Sequence, residues 1–372
     1  MKKVLFVAST EIHIRNFHLP YLQAFHQRGW EVHVACGPGS GEIPGADRCL
    51  RLPFEKKMTS PRNLRAMQLL GRTMRQERYD LLLCHTSLAA FFARAALLGW
   101  KERPAVCNMV HGYLFDENTA PAKRLLLTAA EKLCAPVTDR VITMNRYDEA
   151  YAIRHRLAGQ VDFVHGIGLD GERFRTPDEQ SGQRLREELG FDREDVLLLY
   201  GAEFSARKSQ RVLLEALPRL PERVKLLLPG DGSLREACRT LARTLGVEHR
   251  VRFPGHVKDM DRWYAAADAA VSASRSEGLP FNILEAMAHG LPVIASAVKG
   301  HTDLICDGVS GRLYPYGDRE ALAAAVRQLL EEPVQFRCFA AAGREESGKY
   351  ALNQVRETIM DLYLTTKRCT IR

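Results

Sequence analysis

The sequence predicts an α/β protein built from two doubly wound domains, each with helices on both faces of a parallel sheet. The chain has 372 residues, which exceeds the ~250 to 300 residues at which a single hydrophobic core stops growing. Short apolar runs alternate with amphipathic stretches along the chain, as they do in βαβ units. These runs are apolar at nearly every position, which is typical of strands covered on both faces.

The apolar runs fall into two groups, and each group predicts one sheet. The strands of the first half are predicted at 4–8, 32–35, 81–84 and 105–110. The strands of the second half are predicted at 196–200, 224–228, 251–253, 269–272 and 292–296. Between the groups lie a glycine-rich turn over 164–174 and a polar stretch over 176–183, which indicate a domain boundary.

We therefore predict an N-terminal domain over 1–165 and a C-terminal domain over 166–350. The final segment, 351–372, predicts a helix at about 352–365 that packs back on the first domain. Doubly wound sheets bind ligands at the carboxyl ends of their strands, so the two domains are expected to face each other across a binding cleft.

Composition and charge indicate a folded cytoplasmic protein. Nine cysteines occur without a CxxC pair or a Cys/His cluster, which favours a reducing compartment. The apolar run near the N-terminus is too short for a signal peptide, and the best candidate span, 88–100, contains Arg94 and falls short of the ~20 apolar residues that a bilayer requires. The net charge of +8 lies entirely in the first 165 residues. This basic half fits an anionic membrane surface or a phosphorylated acceptor, and without a nucleic-acid-binding signature we expect no nucleic acid partner.

The segment 276–296, SEGLPFNILEAMAHGLPVIAS, is the most informative part of the chain. It predicts a loop, then a helix from Pro280 to about Ala288 that ends at Gly290. Backbone N–H groups at the start of this helix suit a phosphate. Glu277 and Glu285 place two carboxylates where each can accept hydrogen bonds from a different pair of sugar hydroxyls. The alternative is two solvated carboxylates, which the apolar neighbours of Glu285 disfavour.

This segment resembles the E-x7-E motif of retaining GT-B glycosyltransferases of family 4, with Glu277 and Glu285 at the two glutamate positions. The resemblance extends over nearly the whole chain. Residues 301–305, HTDLI, resemble the corresponding loop of the transferases that assemble capsule, exopolysaccharide and O-antigen repeat units. The resemblance implies the GT-B fold, a nucleotide-sugar donor that we expect to be UDP-linked, and contacts of Glu277 with the donor sugar and of Glu285 with the ribose.

Further positions complete the donor site that the resemblance implies. Arg207 and Lys208, in the turn after the strand at 196–200, would stabilise the negative charge that develops on the departing diphosphate, with solvated basic residues as the alternative. The turns at 230–233 and 254–257 match the places where family members approach the nucleotide. The predicted donor-binding residues are Gly230, Gly232, His256, Val257, Gly278, Leu279, Pro280, Phe281, Asn282 and Glu285.

The first half resembles the family less closely. Many members place a glycine pair after the first strand, whereas this chain has STEIH at 9–13, so we do not expect a phosphate contact there. Three residues that follow, Arg15, Asn16 and His18, are predicted to bind the acceptor, with ordinary solvated loop groups as the alternative. His111 follows the strand at 105–110 and matches the family histidine that points at the donor sugar, although a structural role stays open. Residues 139–142 resemble a further strand of the family.

The predicted catalytic residues are His111, Arg207, Lys208 and Glu277. We expect front-face substitution with retention, in which the departing diphosphate oxygen accepts the proton of the acceptor hydroxyl. No cofactor and no required metal are expected. Asp259 and Asp261 match the spacing of a D-x-D metal motif, but they precede a predicted helix, where aspartates cap N–H groups.

Residues 60–79 predict a basic amphipathic helix, which can lie on an anionic membrane surface or serve as an ordinary surface helix. We predict peripheral association with the inner face of the cell membrane, where the first domain would receive a polyprenyl-diphosphate-linked sugar for surface polysaccharide assembly. The alternatives are a transferase with a soluble acceptor, a nucleotide-sugar epimerase and a non-catalytic nucleotide-sugar-binding subunit.

Overall fold

The computed structural model describes residues 1–39, 41–170 and 178–369. The chain forms two compact units, one of Met1–Ile167 with Val355–Arg372 and one of Gly168–Gln354. The turn and polar stretch that the sequence predicts over 164–183 lie partly outside the described residues.

The first unit is a doubly wound α/β unit. Its strands are β1 (Lys3–Val7), β2 (Glu31–Cys36), β3 (Arg48–Arg51), β4 (Leu81–Cys84), β5 (Ala105–Val110), β6 (Arg140–Thr143) and β7 (Gln160–Phe163). Its helices are α1 (Glu11–Phe17), α2 (Leu19–Gln27), α3 (Pro61–Glu77), α4 (Ser87–Ala95), α5 (Pro121–Cys134) and α6 (Arg146–His155). The strands are parallel, in the order β3-β2-β1-β4-β5-β6-β7. The strand order therefore reverses between β1 and β4.

The second unit repeats this architecture. Its strands are β8 (Val196–Leu199), β9 (Val224–Pro229), β10 (Val251–Gly255), β11 (Ala269–Ser272), β12 (Val293–Ser296) and β13 (Arg312–Tyr314). Its helices are α7 (Glu179–Glu188), α8 (Gln210–Ala216), α9 (Arg235–Thr244), α10 (Met260–Ala266), α11 (Phe281–Ala288), α12 (His301–Leu304), α13 (Arg319–Glu331) and α14 (Pro333–Ser347). The strands are parallel, in the order β10-β9-β8-β11-β12-β13, so the reversal lies between β8 and β11.

These two sheets confirm the predicted fold class. Every residue of β4, β5, β11 and β12 is buried, because helices cover both faces of each sheet. The predicted strands differ from the observed strands by at most two residues at an end.

A last helix, α15 (Leu352–Thr365), spans the end of the second unit and the return to the first. Within the first unit, its buried Tyr363 stacks on Phe25 with ring centroids 6.2 Å apart, and the Tyr363 hydroxyl donates to the Met109 sulfur at 3.3 Å. Arg28 Nη2 lies 2.8 Å from Glu357 Oε2 on the same helix. The C-terminal helix thus completes the packing of the first unit.

Helix α3 buries its apolar side in the core of the first unit. Ala66, Leu70 and Met74 are at most 2% exposed, whereas the arginines of the helix face solvent and Leu64 is 52% exposed. The side chains that would enter a membrane interface are therefore mostly used inside the protein. Among the described residues, no helix combines the length and the apolar character needed to cross a bilayer.

Candidate functional site

Two loops of the second unit bring three charged side chains together. Arg207 and Lys208 lie between β8 and α8, and Glu277 lies between β11 and α11. Because β8 and β11 are the neighbours between which the strand order reverses, their carboxyl ends form the crevice in which doubly wound sheets bind ligands. Glu277 Oε2 lies 2.5 Å from Arg207 Nη1, and Glu277 Oε1 lies 2.6 Å from Lys208 Nζ. We call these three residues the charged cluster.

Glu277 is an ionised carboxylate held inside the unit. It is 6% exposed, and burial alone would raise its pKa. The charges of Lys208 and Arg207 outweigh burial, so the pKa falls to about 2. Ser274 Oγ donates a further hydrogen bond to Glu277 Oε1 at 2.5 Å, and the Tyr200 hydroxyl lies 2.8 Å from Ser274 Oγ.

The backbone around Glu277 depends on one glycine. The Glu277 N–H donates to the Lys299 carbonyl at 3.2 Å, so the loop before α12 lies against the Glu277 backbone. Gly300 has a φ of +85°, and a Cβ there would come within 2.8 Å of Glu277 Cβ. His301, which follows, is fully buried, and burial lowers its pKa to about 4 although the Glu277 charge acts to raise it. A neutral imidazole thus lies behind the carboxylate.

Glu285, the second glutamate of the motif, is half-buried on α11. The Tyr264 hydroxyl, on α10, donates to Glu285 Oε2 at 2.9 Å and to the Asn282 carbonyl at 3.2 Å. The predicted start of the helix is one residue too early, because Pro280 occupies the N-cap position with an extended backbone and α11 begins at Phe281. A proline at the N-cap position has no N–H to donate, which costs nothing there.

The remaining residues of the predicted donor site lie along the same strand ends. Gly230 and Gly232, after β9, have φ values of +140° and +153°, and a Cβ on either would come within 2.4 Å of the backbone oxygens of Ala202 or Phe204. His256 is exposed, and its N–H donates to Asp231 Oδ2 at 3.1 Å. Four of the other predicted residues are half-buried: Val257, Gly278, Phe281 and Asn282. The last two, Leu279 and Pro280, are buried just before α11. Each of these assignments stays a prediction.

The D-x-D spacing lies where the sequence predicts a helix start. Asp259 is the N-cap residue of α10, but in the described structure its side chain makes no capping hydrogen bond. Asp261, in the first turn, lies 3.4 Å from His289 Nε2. The helix start is therefore confirmed, and the capping role of Asp259 is wrong.

In the first unit, four histidines converge at the carboxyl ends of β1, β4 and β5, and we call them the histidine cluster. His13 lies on α1 and His18 joins α1 to α2, while His85 and His111 directly follow β4 and β5. His13 Nε2 lies 3.3 Å from His111 Nε2, which lies 3.5 Å from His85 Nδ1. His18 and His85 are fully buried with ring centroids 3.8 Å apart.

Burial makes these imidazoles hard to protonate. It lowers the pKa of His13 to about 4, and it holds the pKa of His18, His85 and His111 well below the ordinary value, with a smaller effect from the neighbouring imidazoles. At neutral pH the four rings are therefore uncharged.

The three predicted acceptor residues lie in different environments. Asn16 is exposed on α1, and Arg15 donates to Glu11 Oε1 and to the Glu42 carbonyl at 2.5 and 2.6 Å. His18, for which the sequence left a loop and a first helix turn both open, lies at the junction of α1 and α2 and is fully buried inside the histidine cluster. The acceptor assignment of all three stays a prediction.

Sequence reasoning missed several residues of these sites. His85 follows a buried strand directly, as His111 does, so the same rule could have found it. His13 appeared only as part of a loop that departs from the family. Tyr264, Ser274 and Tyr200 lack a comparable signal. Only the fold brings the Tyr264 hydroxyl to Glu285, the Ser274 hydroxyl to Glu277 and the Tyr200 hydroxyl to Ser274.

In the comparison with known proteins, each of the two units matches a family model of glycosyltransferases. The family model described as "Glycosyl transferases group 1" matches residues 194–332, and that described as "Glycosyl transferase 4-like domain" matches residues 19–166. The putative glycosyltransferase EpsD of Bacillus subtilis is 35% identical over 367 residues, which cover 97% of this chain and 96% of EpsD.

Two further proteins are similar over most of their length. An Escherichia coli protein described as UDP-Gal:alpha-D-GlcNAc-diphosphoundecaprenol alpha-1,3-galactosyltransferase is 25% identical over 335 residues, 86% of this chain and 85% of that protein. The structure of HepE from Anabaena in complex with UDP and glucose matches with a TM-score of 0.81 at 21% identity, covering 97% of this chain and 99% of HepE. At that identity, the likeness to HepE shows the fold.

Proposed function

This chain belongs to the glycosyltransferases that combine a 4-like domain with a group 1 domain, and we propose that it transfers a hexose or N-acetylhexosamine from a UDP-linked sugar, with retention, to a sugar carried on a polyprenyl diphosphate. The reaction would extend a lipid-linked unit of a surface polysaccharide. It is the kind of reaction that the name of the E. coli relative describes, and EpsD is 35% identical to this chain.

The observation that carries the proposal is the charged cluster. Two cations share one buried carboxylate, so the cluster keeps one positive charge that Glu277 does not neutralise. The side chain of Arg207 is 49% exposed and can meet a ligand, whereas that of Lys208 is 12% exposed and fixed. Fixed cations stabilise a departing diphosphate most strongly because they are in place before its charge develops.

We propose that the substitution occurs on one face of the anomeric carbon. The acceptor oxygen forms a bond to that carbon as the bond to the β-phosphate oxygen breaks, and the acceptor proton moves to the departing phosphate oxygen. Arg207 and Lys208 would bind the diphosphate, Glu285 the ribose hydroxyls, and His111 the donor sugar. Glu277, with both oxygens engaged by cations, would act chiefly by holding Arg207 and Lys208 in place.

For the membrane, helix α5 offers a better surface than α3. Leu125, Leu126 and Leu133 are 72%, 69% and 53% exposed, and the exposed Lys123 and Lys132 lie on the same helix. Exposed leucines next to lysines suit the boundary of an anionic leaflet, where the apolar side chains enter and the cations meet headgroups. We therefore propose α5, rather than the predicted α3, as the apolar part of a peripheral membrane contact.

The experiment is a donor screen with purified protein. UDP-linked hexoses and N-acetylhexosamines are offered with N-acetylglucosaminyl-diphosphoundecaprenol, and with a soluble sugar phosphate in a parallel series. We expect UDP release and a lengthened lipid-linked product for one donor. The NMR coupling constant of the new glycosidic linkage is expected to show the same anomeric configuration as the donor. An inverted product would refute retention, and transfer only to the soluble acceptor would refute the lipid-linked assignment.

A further inference from the structure

The histidine cluster has the composition of a metal site. Four imidazoles, one from each of His13, His18, His85 and His111, offer one nitrogen each, and these four nitrogens lie within 4.8 Å of one another. They come from three separate parts of the chain that the sheet order brings together, since β1, β4 and β5 are neighbours. The charged cluster, which carries the proposed transfer, does not explain why four imidazoles should meet here.

Two of the nitrogen–nitrogen distances match the geometry of a small tetrahedral ion. With zinc–nitrogen bonds of about 2.0 to 2.1 Å, the edges of a tetrahedron of four nitrogens are roughly 3.3 to 3.4 Å long. The contacts from His111 Nε2 are 3.3 Å to His13 Nε2 and 3.5 Å to His85 Nδ1. Two edges of the tetrahedron are therefore already close to the length that an ion requires.

Hydrogen bonding alone does not satisfy the cluster. Both ring nitrogens of His18, and Nε2 of His85, are buried and have no hydrogen-bond partner within the described part of the chain. Leaving a buried polar atom unpaired is costly. His85 cannot turn away easily, because its ring stacks on Phe6 with centroids 5.7 Å apart and packs against His18 on another side. An ion at the centre would give His18 a partner.

We propose that His13, His18, His85 and His111 bind one divalent transition-metal ion, for which zinc is the best match. Imidazole ligands suit zinc, copper and nickel, and the lack of a carboxylate among these four residues disfavours magnesium and calcium. The ion would fasten α1 and the α1–α2 junction to the ends of β4 and β5. The inference is argued from the first unit, and the proposed transfer chemistry needs no metal. One ligand, His111, is also the residue that we assign to the donor sugar, and the ion would take its Nε2, which faces His13 and His85.

The test uses the full chain, treated with a chelator and dialysed, then titrated with ZnCl2 or CoCl2. We expect one ion per chain by elemental analysis, and visible absorption bands of tetrahedral cobalt. Free zinc at 100 times its dissociation constant is expected to raise the melting temperature of the first unit by about 5 to 10 °C. Absence of binding, or a cobalt spectrum of octahedral type, would overturn the proposal.

Variants locate the ion. His13→Gln removes a half-exposed ligand and is expected to weaken zinc binding at least ~100-fold, more than the loss of an outer-shell partner does. His85→Gln is expected to act alike, and circular dichroism in chelator shows whether this buried change leaves the fold intact. The control His26→Gln, on α2 outside the cluster, is expected to bind zinc as the unchanged chain does.

Among the residues that the structure describes, one other group could bind zinc, and a third variant distinguishes it from the histidine cluster. Glu31, His33 and Glu77 also lie within ligand distance of one another, but Lys3 Nζ already lies 3.4 and 3.0 Å from the two carboxylates. If Glu77→Gln abolishes binding while His13→Gln does not, the ion lies in that group and the proposal is wrong. The donor screen is run on the metal-free chain and on the zinc-loaded chain. Absence of zinc binding refutes only the metal site, and absence of sugar transfer by both forms refutes only the proposed function.

Discussion

Replacing Glu277 with glutamine tests whether its charge stabilises the second unit by holding Arg207 and Lys208. The substitution preserves shape and removes the charge that holds Arg207 and Lys208. The Lys208 side chain is 12% exposed, so it would be left as a poorly solvated cation without its anion. We expect a loss of stability even though no apolar contact is lost.

The magnitude follows from the pKa of Glu277, which is lowered from 4.5 to about 2. A carboxylate whose pKa is lower in the folded state stabilises that state at pH values above its pKa in the unfolded chain. This contribution disappears as the pH falls through its pKa in the folded state. The shift corresponds to about 3 kcal/mol in the free energy of unfolding at pH 7, falling to about half of that by pH 3. The stability difference between the two proteins should therefore shrink in acid.

Urea unfolding measures this difference. Trp263 is the one tryptophan in the sequence of the second unit, so a background with Trp30→Phe and Trp100→Phe reports on that unit by fluorescence. Glu194→Gln, at an exposed carboxylate of the same unit, is the control and is expected to change the free energy of unfolding by less than about 0.5 kcal/mol. Equal stability of Glu277→Gln and its parent at pH 7, or a difference that grows in acid, would refute the reasoning.

Three further outcomes are expected. Lys208→Met should lower kcat by roughly 100-fold or more, because a fixed cation at the leaving group is lost; an effect on KM alone would contradict this. Gly230→Ala should destabilise the second unit by more than 1 kcal/mol in urea unfolding, since its Cβ would lie 2.0 Å from the Ala202 oxygen, whereas Gly190→Ala, with a φ of +70° and open space around it, should cost about 1 kcal/mol or less. The double change of Leu125 and Leu126 to glutamine should reduce co-sedimentation with anionic vesicles several-fold, and unchanged binding would remove α5 from the membrane contact.

The sequence predicts the centre of each sheet better than its edges. Strands β4, β5 and β11 have the predicted bounds, and all their residues are buried. The apolar pattern did not reveal β3, β6, β7 and β13. Three of them, β3, β7 and β13, lie at sheet edges, and most of their residues are half-exposed. The fourth, β6, is internal and buried, and only the family resemblance indicated it. An edge strand borders solvent, so its sequence has no need to be apolar throughout, and the pattern that marks a strand fades there.

The same distinction applies to the sites. The order of the strands makes neighbours of the loops after β8 and β11, and a sequence that predicts parallel sheets already predicts that some such loops meet. The sequence does not predict that Glu277 forms ion pairs with both Arg207 and Lys208. That outcome depends on side-chain hydrogen bonds from Ser274 and on the close approach of Gly300. The histidine cluster likewise depends on how α1 and α2 turn His18 inward, which the sequence did not indicate because it left a loop and a first helix turn both open.

The two strand-order reversals differ in charge, and we propose that this difference separates their ligands. In the second unit, cations exceed the buried anion, which suits a nucleotide diphosphate. In the first unit, the imidazoles at the equivalent strand ends are uncharged at neutral pH, with the pKa of His13 lowered to about 4. The loop after β1 also packs tightly against the loop after β2, since the Ser9 carbonyl oxygen would lie 2.2 Å from a Cβ at Gly37. In the metal-free protein, an anionic group of the acceptor would therefore have to find its cations on the basic surface of the first unit and not among these imidazoles.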